Sequence, residues 1–345
     1  MLYVTTTEKN DAYTAARTYL EDRGPDGGLF VPRQLPVFTE EDLSALTQDS
    51  FGERVAKILN AFFSTKFTGW DIDSAIGRCP VKAATMSHRI FLLELWQNLD
   101  GSYEKLEKNL AEKIRNDGNV ERGASSWLKI AIRIAMVFAS FAELVRTKVL
   151  NWEKKVDFSV VSGDLSGVMS LWYAKEMGLP VENIICSCNE NCALWDFLNH
   201  GELKTDTQPI HTTTPLADVG LPMELERLIY GYFAWDGTKE ILHICHNKGL
   251  YIPPAEAFTR LRNGLFSAVV SRSRVDVLIS SVYRTNQYLI GPYTALAYGG
   301  LTDYRAKTGE SRTAVILAER APAQDAAVVA VAMGTTEEQL LAQFC

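Results

Sequence analysis

No stretch of this 345-residue chain stays apolar long enough to span a bilayer. The longest candidate, residues 127–145, is interrupted by Lys129, Arg133 and Glu143, so it reads as a core helix and no membrane role follows. Excess positive charge is also missing: 35 Lys and Arg stand against 42 Asp and Glu, a formal net charge of −7. With no basic face in the pattern, that balance excludes nucleic acid as the main partner. No apolar leader follows Met1, so the six cysteines read as reduced thiols in a cytoplasmic protein. GxSxG, P-loop and HExxH motifs do not occur, which removes support for serine hydrolase, nucleotidase and metalloprotease chemistry. Internal repeats and low-complexity tracts are absent.

What the chain does have is an alternation of buried strands and helices. The run VDFSVV at residues 156–161 is β-branched and apolar, as a buried strand requires. It breaks at Ser162, Gly163, Asp164, Leu165, Ser166 and Gly167. A helix bearing Met169, Leu171, Trp172 and Ala174 follows and stops at Gly178 before Pro180. Strand, glycine-bearing turn and helix N-terminus together make a cradle for an anion. A second unit repeats the pattern, with a strand at 184–188 and a helix through Leu194, Trp195 and Leu198 to Gly201. Strands alternating with helices predict an α/β fold with a mostly parallel sheet.

Elsewhere the spacing predicts helices over 51–63, 70–79, 103–115, 125–145, 216–232, 239–248 and 326–333. An amphipathic helix is expected around Val275, Ile279 and Val282, and a helix behind Pro292 that reaches Tyr304. Strands are expected at 91–96 and 313–318, and a turn at 97–101. Cys186, Cys188 and Cys192, with His243, Cys245 and His246, have the right side chains for zinc. However, Cys186 and Cys188 share one face of a buried strand and no C-x-x-C pair exists, so no metal is assigned. His243 and His246 read as neighbours on one helix face.

Several motifs, in order, resemble the threonine synthase family, fold-type-II enzymes that use pyridoxal phosphate. PDGGLFVP (25–32) is similar to the family's N-terminal signature. SGDLSG (162–167) resembles its SGNFGD phosphate loop, with YAKEMGLP continuing the likeness. NENCALWDFLNHGEL (189–203), PLADVGLPMELERL (215–228) and YLIGPYTALAYGGL (288–301) resemble further family segments. The resemblance implies an N-terminal α+β module over 1–95 and a truncated fold-type-II core, related to the tryptophan synthase β chain, over 96–345. It covers about 1–95 and 155–335.

The stretch between is where the family's chemistry sits, and there the likeness fails. The position of the Schiff-base lysine falls on Glu104, with Lys105 one place later in a charged run that reads as a solvated helix face. A Schiff base needs an amine held against the cofactor, and a glutamate cannot supply one. Only residues 106–123 stand where the family has most of a mobile subdomain. Glu319 replaces the threonine that approaches the pyridine nitrogen, Tyr293 replaces a histidine, and Asp164 puts a carboxylate into the phosphate loop, where it would repel a phosphate unless turned away. The reading is therefore a threonine synthase-like protein without catalysis and with no cofactor expected. It would bind a small anionic or amino-acid-like ligand at 162–167, or a protein partner. One alternative is an active pyridoxal-phosphate enzyme converting O-phosphohomoserine to threonine with Lys105 or an unaligned lysine. Another is a regulatory or structural subunit that pairs with itself or with a complete homologue, with the truncation exposing apolar surface along 127–145 unless something covers it.

Overall fold

The N-terminal strand β1 (Leu2–Thr5) lies between β2 (Tyr13–Thr14) and β3 (Phe30–Pro32) in a three-stranded antiparallel sheet. This computed structural model describes residues 1–78, 81–87, 89–96, 103–119 and 121–342; the turn expected at 97–101 lies outside them. Four helices complete the N-terminal region: α1 (Ala15–Thr18), α2 (Glu40–Leu46), α3 (Phe51–Phe63) and α4 (Gly69–Ile76). The last three begin at Thr39, Ser50 and Thr68. Each of these side chains accepts the N–H three residues on, while Asp42, Glu53 or Asp71 reaches back to the capping residue's N–H.

Next come β4 (Lys82–Ser87), β5 (Ile90–Glu94), α5 (Tyr103–Arg115) and α6 (Ser126–Arg146), then β6 (Val156–Val161), α7 (Ser166–Glu176), β7 (Val181–Cys188) and α8 (Ala193–His200). The short β8 (Leu203–Lys204) pairs with β9 (Leu250–Tyr251) across α9 (Leu225–Lys248). Helix α9 breaks at Ala234, where φ is 54°. Helical structure expected from 216 starts only at Leu225, because Pro215–Ala217 forms a single 3-10 turn. The chain ends with α10 (Ala255–Leu261), β10 (Leu265–Val269), α11 (Arg272–Asn286), α12 (Pro292–Thr308), β11 (Ala314–Ala318), α13 (Ala326–Met333) and α14 (Glu337–Leu341).

The main sheet has six strands in the order β10-β7-β6-β11-β5-β4, parallel except for β4, which runs antiparallel to β5. Strands from both sides of residue 95 share this sheet. Helices α6 and α7 pack on one side, and α11, α12 and α13 build a second apolar cluster on the other. At Gly300, α12 comes so close to β7 that a Cβ would stand 2.0 Å from Ser187 Oγ. Among the described residues, no helix is long and apolar enough to cross a membrane.

The expected exposure of apolar surface along 127–145 does not occur. Trp127, Leu128, Ile130, Ile134 and Phe138 are all 0% exposed, because α3, α5 and α7 close around α6. Trp127 meets Tyr3, Phe62 and Tyr173 edge-on, at 5.8, 5.6 and 5.4 Å between ring centres. Helix α6 is thus the central pillar of the apolar core.

Two of the motifs that carried the family resemblance meet in space as a clamp. In PDGGLFVP, Asp26 accepts hydrogen bonds from the Thr5 and Thr7 hydroxyls (2.7 and 2.5 Å), and Gly27 takes φ +82° to close the turn. From PMELERL, Glu226 accepts from the Thr6 hydroxyl, from Leu29 N–H (3.0 Å) and from Arg23 (2.7 Å). The fully buried Arg227 donates to Phe30 O (2.9 Å), to Ser126 Oγ (3.1 Å) and to Glu224. Charge-assisted bonds to backbone and hydroxyls therefore lock the N-terminal strands to the start of α9 and to α6.

Candidate functional site

In a parallel sheet the loops at the carboxyl ends of the strands converge, and ligands bind there. Here the ends of β6 and β11 and the first turn of α5 enclose a cavity of about 250 Å³. Ser162, Gly163, Asp164, Ser166 and Gly167 line one side, with Leu165 buried behind them. Glu104, Tyr293 and Glu319 line it as well, so the structure brings together every position that the sequence flagged as altered. Lys105 is not among the lining residues; it lies on the exposed side of α5.

The loop turns tightly. Gly163 (φ +44°) and Leu165 (φ +66°) both take left-handed backbone, and Leu165 N–H donates to Ser162 O at 2.6 Å. Gly167 lies close to the strand, where a Cβ would stand 2.9 Å from Val160 Cγ2. At the N-terminus of α7 sits a carboxylate from the chain itself. Asp164 Oδ1 accepts from Ser166 N–H (3.0 Å) and Ser166 Oγ (2.6 Å), while Oδ2 is ion-paired with Lys129. Burial works against this ionised carboxyl, but Lys129, Arg133 and the Ser166 hydroxyl outweigh it and hold its pKa well below the usual range. Asp164 has thus turned onto Lys129 and the helix end.

The back of the cavity is filled by Arg133, whose side chain is 11% exposed. Its Nε donates to Glu107 at 3.1 Å, its Nη1 pairs with Glu319, and its guanidinium lies 4.6 Å from the centre of the Tyr103 ring. Burial pushes the Glu107 carboxyl up, against the pull of Arg133 and Lys129. At the mouth, Arg320 stacks over Tyr293 at 5.6 Å and pairs with Asp325 (3.3 Å). The Tyr293 hydroxyl accepts from Leu216 N–H at 3.1 Å, and burial pushes its pKa up to about 12. Lys129, Arg133 and Arg320, the cations lining the cavity, are each bound by a carboxylate of the same chain.

Sequence reading missed Lys129, Arg133 and Glu107. The signal was present: Lys129 and Arg133 are four apart in an otherwise apolar helix, which places both on one face of α6. Their charges served above only to exclude a membrane span.

The cysteines fall as expected for a buried strand. Cys186 and Cys188 are buried, burial pushes both thiols up, and Cys188 Sγ stands 3.1 Å from Ser162 Oγ. His243 and His246 lie exposed on α9, with His243 Nε2 2.9 Å from Asn247 Nδ2. Among the described residues no group of three or more His, Cys, Asp or Glu could hold a metal ion.

Comparison with known proteins supplies the context for this geometry. Residues 2–79 match the family described as threonine synthase N terminus. The mouse protein named threonine synthase-like 1 is 25% identical over 185 residues, 52% of this chain and 25% of its own length. Threonine synthase of Pseudomonas aeruginosa is 25% identical over 204 residues, 58% of this chain and 42% of its own length. The matched region thus spans a quarter to two fifths of these curated relatives. Among solved structures, the pyridoxal-phosphate-bound threonine synthase of Brucella melitensis superposes with a TM-score of 0.84 at 17% identity, covering 97% of this chain and 92% of that one. The yeast threonine synthase gives 0.81 at 16% identity, covering 96% and 90%. These likenesses show the fold. The N-terminal match and the curated relatives add that the chain is similar to threonine synthases in sequence as well.

Proposed function

We propose that this chain is a non-catalytic, pyridoxal-phosphate-independent member of the family, whose cavity holds at most a small polar, amino-acid-like ligand. The observation that carries the reading is Arg133, which lines the cavity and is bonded at once to Glu107 and Glu319. The residues present do not fit pyridoxal phosphate. Its phosphate would have to approach the Asp164 carboxylate, which already takes the N-terminal N–H of α7. Its aldehyde would need a free amine, and Lys129, the lysine lining the cavity, is engaged by the Asp164 carboxylate. Its ring would have to share the space with a guanidinium bound on two sides. The mixed lining of Lys129, Arg133 and carboxylates is better matched to a zwitterion than to a phosphate dianion.

Titration of the purified protein with pyridoxal phosphate, followed by absorbance and borohydride trapping, tests this. The expected result is no trapped adduct. A second reading, an active enzyme with an unaligned lysine, is favoured by the position of Lys129 beside the loop at 162–167. A saturable adduct mapping to Lys129 would establish that reading and overturn the first.

A further inference from the structure

Strand β10 ends the main sheet, and among the described residues no strand pairs with its outer side. Ile184 N–H donates to Gly264 O, and Val270 N–H donates to Cys188 O, both at 2.9 Å. Even-numbered residues of β10 therefore bond to β7, and the backbone groups of Ser267 and Val269 face outward. A groove of about 470 Å³ runs along this edge between Trp195 of α8 and Lys307 of α12.

The charges around that edge are unbalanced. The acids of the surrounding walls are engaged: Asp303 by Arg274 (2.6 Å), Glu182 by Lys155 (3.1 Å) and Glu310 by Arg312 (3.7 Å). Arg262 and Lys307 have no ion-pair partner among the described residues. Each rests over an aromatic face instead, Arg262 at 5.3 Å from the Phe258 ring centre and Lys307 at 5.6 Å from that of Phe266. In a chain of net charge −7, cations without an ion-pair partner are thus gathered beside the unpaired edge of the sheet, where Val269 is half-buried and Ser267 is 4% exposed.

We propose that the outer edge of β10 is a docking site for an acidic segment of a partner protein, bound in extended form as an added strand. Ser267 and Val269 would supply main-chain hydrogen bonds, and Arg262 and Lys307 would select for carboxylates on the incoming strand. The site is separate from the cavity at 162–167 and stands whether or not that cavity is catalytic.

The probe is a fluorescein-labelled peptide alternating valine and glutamate, titrated with the full chain by fluorescence polarisation. Saturable binding is expected, with slowed amide exchange at Ser267 and Val269. The double variant R262E/K307E should bind roughly tenfold more weakly or worse. Its melting temperature should fall only slightly, because both side chains are exposed, carry no ion pair and lose one aromatic contact each. A peptide with proline at alternate positions, unable to donate to the edge, should also fail. No binding, equal binding of a valine–lysine peptide, or unchanged exchange at Ser267 and Val269 would overturn the proposal. Sedimentation showing a second copy of the chain already seated on this edge would overturn it as well.

Discussion

Replacing Arg133 with methionine keeps an unbranched apolar stem and removes the guanidinium charge, leaving Glu107 and Glu319 facing one another across the cavity. Breaking a buried ion pair from one side costs about 3–5 kcal/mol. Arg133 and Glu107 are each 11% exposed but Glu319 is 30% exposed, so water can relieve part of the loss and the lower end, about 3 kcal/mol, is expected. The loss should depend on pH in a definite direction. Burial already raises the Glu107 carboxyl above its usual range, and Arg133 is the leading influence holding it down. Without Arg133 the folded protein will hold a proton that the unfolded chain releases. Stability of R133M should therefore fall as pH rises through the folded-state pKa, and recover as pH drops toward the ordinary carboxylate value. Urea unfolding followed by tryptophan fluorescence at about pH 8 and about pH 5 reads this directly. Adding E107Q to R133M should restore part of the stability at the higher pH. If R133M is as stable as the parent chain, or loses the same amount at both pH values, the cavity is not closed by this ion-pair network.

Asp164→Asn removes the Lys129 pair and, because the Asp164 side chain is 47% exposed, should cost only about 0.5–1 kcal/mol at neutral pH. The folded-state pKa of Asp164 is depressed, so the parent chain loses this contribution only as pH falls through that low value; denaturation curves of D164N and parent should converge in acid. Arg227→Met strands Glu224 in the core and unhooks Phe30 O and Ser126, and should destabilise by about 3 kcal/mol or more in urea. Loss of protection from amide exchange in β1 and β3 would show that the clamp to the N-terminal strands has opened. Gly300→Ala drives a methyl group into Ser187 and should cost about 1–3 kcal/mol, read as a lowered melting temperature.

Local sequence rules reached most of the framework because local chemistry decides it. The apolar spacing at 51–63 announces a helix, the β-branched run at 156–161 announces a strand, and Pro292 announces the first turn of α12. The two helices expected over 216–232 and 239–248 leave a gap in which the break of α9 at Ala234 falls, but the Trp235 indole that donates there to Thr5 O at 2.9 Å is a contact across 230 residues that no local rule gives. The cover over α6 was misjudged for a related reason. A missing segment in the sequence says nothing about which neighbours move in, and here α5, with Leu106, Leu110 and Ile114 buried, closes that flank. The cavity was legible from the loop side, where glycine and serine mark a turn. It was not legible from the side of α6, whose Lys129 and Arg133 are separated from Asp164 and Glu319 by 35 and 186 residues.

The distribution of paired and unpaired charge argues where an anionic partner would be drawn. At the cavity, Lys129, Arg133 and Arg320 are each matched within the chain, so an incoming anion must displace a carboxylate already in place and meets Asp164 at the helix N-terminus. Displacement exchanges one ion pair for another and leaves a glutamate or aspartate stranded in partly buried surroundings, so the net gain is small. Along β10 no such exchange is needed, because Arg262 and Lys307 are solvated cations resting on aromatic rings. Their attraction extends about 8–10 Å at ordinary ionic strength and weakens as salt is added, whereas the pair of Arg133 with Glu107, each 11% exposed, is screened far less. Raising the salt concentration should thus weaken capture of the acidic peptide while leaving the urea stability that depends on Arg133 nearly constant. A peptide affinity independent of salt would mean that apolar contacts with Trp195 and Phe266, and not charge, govern the edge.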